Sequence, residues 1–396
     1  MRPHIAEKLG KSDIKDVKLS VIFKNLGQGL YNIFEPIIFY NILDHRFELV
    51  LLYYGIQSFY YAALAHIGAR VMGKIGIKKN LIWGTLFLIF YCLTILYFSN
   101  LDITLATNPG LTILAFCTLA TIASAYQSLY WPAFHTDLSL FMRRKESGKN
   151  IGTFYLIGQM TSVIGPILGA LILLNLSLTH LITLEVLLLL ISTLPLIRGP
   201  DEHPHSSLSF GGFVKFLFSK KRFKYYLPFY AEGINGYIAG VFWGLFVYTI
   251  LQNILDLGLI ASGVSLFTGL FVFGLGYFID KRKHLKDKIL RIGVTTSSIG
   301  WIIKGLPTSG LFFFVADNIQ KFGDIVARIP FEKVMYNRFK SIKSLADEYV
   351  VIREMAYHIG GGIIMIILAV IIWQFNLMYS AFIVAAISSL VYLLMR

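Results

Sequence analysis

The sequence predicts an all-α polytopic membrane protein: twelve transmembrane helices in two pseudo-symmetric six-helix bundles. Three observations carry this. Hydrophobic residues fill 56% of the 396 positions and charged residues only 15%, more apolar than a soluble core requires. Apolar runs of about 20 residues, the length that crosses a bilayer, recur along the whole chain. Lys and Arg fall in every second interval between those runs.

The runs read as spans are 19–42, 48–68, 80–99, 110–134, 150–173, 178–197, 226–251, 257–279, 288–306, 310–331, 348–373 and 378–395. The intervals 69–79, 135–149, 198–225, 280–287 and 332–347 are rich in Lys and Arg, whereas the alternate intervals contain only Arg46. The positive-inside bias then places both termini and the basic intervals in the cytoplasm, with the chain in the cytoplasmic (inner) membrane. Basic residues meeting an anionic leaflet also account for the net charge of +14. Nucleic acid is excluded as the cause, because no segment is long and polar enough to form a basic soluble domain. Cys92 and Cys117 lie in separate apolar runs, so neither a disulfide framework nor a zinc site is expected, and no metal or cofactor is called for. The charged N-terminus lacks a short apolar core with a small-residue cleavage site, so no removable signal peptide is expected.

The longest break begins at Arg198 with Pro, Gly and polar residues, then sets Phe213, Phe216 and Leu217 against Lys215, Lys220, Lys221 and Arg222. It reads either as a linker with a helix on the membrane surface or as a basic flank of the seventh span. Either way the chain divides into an N-terminal bundle (1–197), a cytoplasmic linker (198–225) and a C-terminal bundle (226–396). An internal repeat fits this division. IFEPIIFYNIL (33–43) aligns with VFWGLFVYTIL (241–251), pairing Phe34 with Phe242, Tyr40 with Tyr248, Ile42 with Ile250 and Leu43 with Leu251. WPAF (131–134) and IPFE (329–332) likewise put a proline at the cytoplasmic ends of spans 4 and 10.

With these features the chain resembles the major facilitator superfamily of secondary transporters. In GYFIDKRK, after span 8, Gly276, Asp280 and Lys281 match the superfamily's loop pattern of glycine, three residues, aspartate and a basic residue. The equivalent loop after span 2, ARVMGKIGIKK, has Gly73 in place of the aspartate. GPILGA (165–170) in span 5 is similar to the glycine-proline motif of the superfamily's antiporters, with Ala170 for the final glycine; close helix packing explains such residues equally well. The resemblance implies a central cavity lined by spans 1, 4, 7 and 10, a substrate site near the midplane, and rocking of the two bundles about it.

Charges concentrate in the spans so assigned. Asp317, Lys321, Asp324 and Arg328 are spaced four, three and four residues apart, which at ~100° per residue makes a stripe roughly 60° wide. A ladder of alternating sign in a membrane helix is expected to face the water-filled cavity. Lys24 and Glu35 lie in span 1, Glu232 in span 7, and Arg353 and Glu354 in span 11. Glu185 and Lys304 fall in peripheral spans and are expected to snorkel or make interhelical contacts.

Roles follow from depth and neighbours. Glu35 has no basic residue within two turns of its own helix, so it is the first candidate for carrying a proton, with Glu232 second. A helix–helix hydrogen bond or direct substrate contact would also explain Glu35. One charge crossing the membrane represents ~2.3 kcal/mol per 100 mV. Lys321 either contacts an anionic group on a solute or is neutralised by Asp317 and Asp324. Lys24, Arg328, Arg353 and Glu354 form an inner group that could close a gate; fixed ion pairs are the alternative. His358 could relay a proton or make one interhelical hydrogen bond. Tyr126, Tyr130, Trp131, Tyr155 and Trp243 suit an aromatic wall for an organic solute, or simple packing between helices.

The expected function is secondary active transport of a small organic solute by alternating access, coupled to protons, with export by antiport one form of it. A uniporter or symporter of a polar or anionic metabolite is the alternative within the class. An intramembrane enzyme is disfavoured, since HExxH and a serine-histidine pairing are absent, and a scaffold or channel is disfavoured by the paired buried charges. A monomer that exchanges with a small-molecule solute and protons, sits in lipid and has no nucleic-acid partner is the expectation.

Overall fold

The computed structural model describes residues 3–101, 103–142, 147–198, 201–204, 209–281, 286–306, 309–341 and 346–394. Over 3–14, 139–142, 147–156, 220–222, 224–225, 272–281, 286, 329–330, 332–341 and 346–347 it gives the backbone course alone. Helices dominate, with no strand among the described residues. They are α1 (Pro3–Tyr31), α2 (Glu35–Ile42), α3 (Phe47–Ile75), α4 (Ile77–Ser99), α5 (Pro109–Met142), α6 (Ser147–Asn175), α7 (Leu178–Thr193), α8 (Phe210–Leu217), α9 (Lys220–Tyr237), α10 (Trp243–Leu251), α11 (Ile254–Lys281), α12 (Lys286–Lys304), α13 (Gly310–Ser341), α14 (Ala346–Phe375) and α15 (Ser380–Leu390). Each predicted span coincides with a helix or a broken helix. Seven of the described helical segments are long and apolar enough to cross a membrane; the long helices α1, α3, α12 and α13 fall outside that group.

Two spans expected to be continuous are broken. Span 1 turns at 32–34 between α1 and α2, because Pro36 cannot donate a backbone hydrogen bond and its ring crowds the carbonyl four residues earlier. Span 7 loosens into a π-helical turn, Ile238–Phe242, before α10. Phe34 precedes α2 and Phe242 precedes α10. The breaks therefore fall at positions that the internal repeat pairs.

Several predicted loops are helix instead. The interval 69–79 shrinks to Gly76, which alone separates α3 from α4 at φ +98°, a conformation a side chain would strain. α5 runs through Pro132 to Met142, and α13 continues to Ser341. Hydropathy marks where the apolar face ends, and charged residues in water do not stop a helix. After the first six spans, Asp201 accepts hydrogen bonds from the Lys78 and Lys79 backbone N–H groups at 2.8 and 3.1 Å, capping α4. The short helix in the linker exists as α8, with Ser209 accepting from the Gly212 N–H at 3.2 Å. Its apolar face is not given to lipid: Phe213 and Leu217 are fully buried in a cluster with Tyr61, Ala65 and Ala69 of α3.

Within the helices before α8, α1 packs on α6 and α7, and α5 on α3 and α4; after it, α14 packs on α9, and α12 on α13 and α15. The two sets meet chiefly through α3 with α14 and α6 with α11, contacts that the repeat exchanges for one another. Glycines permit these approaches. A Cβ on Gly55 would lie 3.3 Å from the Gly362 carbonyl oxygen, and one on Gly258 would lie 2.9 Å from that of Pro166.

Candidate functional site

A cavity of about 870 Å³ lies on the seam between the two sets. At the end remote from the chain termini the seam is closed: the Phe47 and Phe242 rings stand 5.1 Å apart and α2 packs on α10. Toward the termini end the lining continues to Leu138 of α5 and Arg328 of α13.

Glu35 sits in the inner reach of the cavity, at the helix break. As the first residue of α2 it is freed from the α1 ladder, and both the Tyr54 and Tyr91 hydroxyls donate to its Oε1, at 2.7 and 2.9 Å. Oε2 has no donor and neither oxygen an ion-pair partner among the described residues. Gln57 donates to Gln127 at 2.8 Å along the same wall, and Gln28 to the Tyr126 hydroxyl at 3.1 Å. Lys24 is buried behind this wall rather than at the seam. It donates to Gln28 and stands over the Tyr130 and Trp131 rings at 4.0 and 5.0 Å, close enough for cation–π attraction.

The opposite wall is an ion-pair network. Arg353 bonds Glu232 at 2.8 Å and Glu354 at 3.2 Å, while Arg328 reaches Asp324 at 3.3 Å and Glu232 at 3.9 Å. The network crosses the seam, because the Tyr61 hydroxyl donates to Glu354 at 3.0 Å and His135 lies 3.5 Å from the same carboxylate. His358 pairs with the Tyr237 hydroxyl at 2.7 Å, its ring 3.8 Å from that of Tyr61.

The structure thus gathers Glu35, Glu232, Arg328, Arg353, Glu354, His358, Tyr126 and Trp131 around one cavity. It corrects the expectation for the ladder, of which only Arg328 lines this cavity. Asp317 turns to α12, where Lys304 meets it at 2.6 Å; Lys321 approaches its other oxygen at 3.4 Å. The helical period fixes the direction of a stripe but not which neighbour lies there. Lys304 makes interhelical contacts and does not snorkel: it is fully buried, donates to Gln320 at 3.1 Å and stands 4.3 Å from both the Trp243 and Trp301 rings. Trp243 accordingly belongs to that packing, and Tyr130 to the cover of Lys24. The side chains of Tyr155, Gly276, Asp280 and Lys281 lie outside the described residues.

Sequence reasoning also set aside Glu185, which lines the cavity. The signal was present, since an acid within a span marks a site by default, but its helix was expected to be peripheral.

Two sets of membrane helices around a central polar cavity define a multi-pass membrane protein of the transporter type. The profile of the Major Facilitator Superfamily matches residues 19–322, and the chain belongs to that superfamily. No curated protein sequence matches it. Among solved structures it is similar to a bacterial homologue of the iron transporter ferroportin in its outward-facing state (TM-score 0.70, 12% identity, 97% of this chain and 98% of that one). It is also similar to the nucleoside transporter NupG (TM-score 0.67, 12% identity, 96% and 98%) and to FucP in the outward conformation (TM-score 0.66, 14% identity, 96% and 97%). At these identities the likeness establishes the fold alone.

Proposed function

We propose that this protein is a secondary active transporter of a small organic solute, working by alternating access in the cytoplasmic membrane with both termini inside, and driven by protons that load at Glu35. The observation that carries the reading is the setting of Glu35: an acid at a helix break, facing the cavity, with two tyrosine donors and no bonded cation. A carboxyl so placed can exchange a proton with the cavity, and its two hydroxyl donors hold it in one position for either state. In this reading the structure represents a conformer closed at the outer end, where the seam is packed. The network of Glu232, Arg328, Arg353 and Glu354 serves as the inner gate, already tied across the seam by Tyr61 and His135.

The test is Glu35→Gln, with a solute first identified by thermal shift. The variant is expected to exchange the solute in counterflow when the solute is saturating, yet to lose accumulation driven by an imposed proton gradient. Undiminished uphill transport by the variant removes Glu35 from the mechanism.

A further inference from the structure

The cavity lining carries four carboxylates, Glu35, Glu185, Glu232 and Glu354, against two arginines, Arg328 and Arg353. Both arginines are engaged by acids at the termini end, so an anionic solute would find no uncommitted arginine there. At the other end the balance is opposite. Glu35 has only tyrosine hydroxyls as partners. Glu185 of α7 is fully buried, with no nitrogen or oxygen donor to either carboxylate oxygen among the described residues and the Cys92 thiol, a weak donor, beside it. α7 lies close against α1 here, where a Cβ on Gly27 would stand 3.3 Å from the Glu185 carbonyl oxygen. Neither Glu35 nor Glu185 has a lysine or arginine bonded to it among the described residues.

Uncompensated charge in a low-dielectric cavity attracts its opposite. The surrounding wall suits a cation with an apolar body: Tyr54, Tyr126, Trp131 and Phe134 line it, and aromatic faces attract cations. The volume, about 870 Å³, is that of a site for a drug-sized molecule.

We infer that the solute is an organic cation, its charge drawn between Glu35 and Glu185 and its body lying against the aromatic wall. This rests on the transporter reading above and adds the substrate class, together with a role for Glu185.

Two probes of nearly equal size and shape but opposite charge test it: tetraphenylphosphonium and tetraphenylborate, measured by equilibrium binding to the purified full-length protein in nanodiscs. Tetraphenylphosphonium is expected to bind saturably and at least tenfold more tightly than tetraphenylborate. Glu185→Gln and Glu35→Gln should each weaken it at least tenfold, and Glu185→Asp should keep most of the affinity. If the Gln variants do not fold, the wild-type comparison decides, together with protection of the Glu185 peptide from dicyclohexylcarbodiimide by tetraphenylphosphonium, read by mass spectrometry. Equal or tighter binding of the borate, no saturable binding of the phosphonium, or unchanged affinity in both folded Gln variants overturns the inference. Proton-driven accumulation of a neutral or anionic solute by a protein that ignores the phosphonium overturns it while leaving the transporter reading intact. Saturable phosphonium binding without gradient-driven flux of any solute does the reverse.

Discussion

At Asp317 two lysines share one buried carboxylate, and the geometry ranks them. Lys304 is fully buried at 2.6 Å, whereas the Lys321 side chain is 36% exposed at 3.4 Å. Removing one member of a buried pair strands the other and typically costs ~3 to 5 kcal/mol. Lys304→Met is therefore expected to lower the thermal midpoint and folded yield in detergent far more than Lys321→Met, and adding Asp317→Asn to Lys304→Met should restore much of the loss. Equal sensitivity at the two lysines would show that Asp317 does not discriminate between them. The sequence revealed that these charges must be satisfied inside the protein. It could not reveal that the shorter contact comes from α12, because the partner across a helix pair depends on rotation and depth, and neither leaves a periodic signal.

Among the elements, the GPILGA segment of α6 acquires a structural explanation. Gly165 crosses α1 at Gly29 so closely that a Cβ on Gly165 would stand 2.5 Å from the Gly29 carbonyl carbon, and one on Gly169 would stand 2.0 Å from the Leu30 carbonyl oxygen. Small residues let membrane helices approach to this degree, and they set α1 where its break presents Glu35 to the cavity. Gly165→Val should destabilise by at least ~1 to 3 kcal/mol, the usual cost of overpacking, seen as a lower thermal midpoint. Gly110→Ala, where no neighbour lies within 4 Å, should be close to neutral. Helix existence and order were legible from apolar runs, and the repeat anticipated that spans 1 and 7 correspond. Helix length was not legible, since α5 and α13 outrun their apolar faces, nor was the contact of α8, whose apolar face fits protein and lipid equally well as a pattern.

For the whole molecule, the two seam contacts, α3 with α14 and α6 with α11, are related by the repeat, and the proposed mechanism has the sets rock about them while the cavity changes sides. Four positions report on this: Leu101 and Leu306 near the end remote from the termini, Lys79 and Asp287 near the termini end, one of each pair in each set and all exposed. In a background with Cys92 and Cys117 replaced by Ser, single cysteines at Leu101 and Leu306 should label from outside intact cells, and those at Lys79 and Asp287 only after permeabilisation. The most direct test of alternation uses the same positions in pairs, with spin-label distances measured by pulsed electron resonance in nanodiscs at several pH values and in Glu35→Gln. The account predicts two distance populations at each end, changing reciprocally: conditions that lengthen Leu101 to Leu306 shorten Lys79 to Asp287, and Glu35→Gln displaces both toward one conformer. A single distance at each end that responds to neither pH nor Glu35→Gln, or two ends that open together, would contradict it.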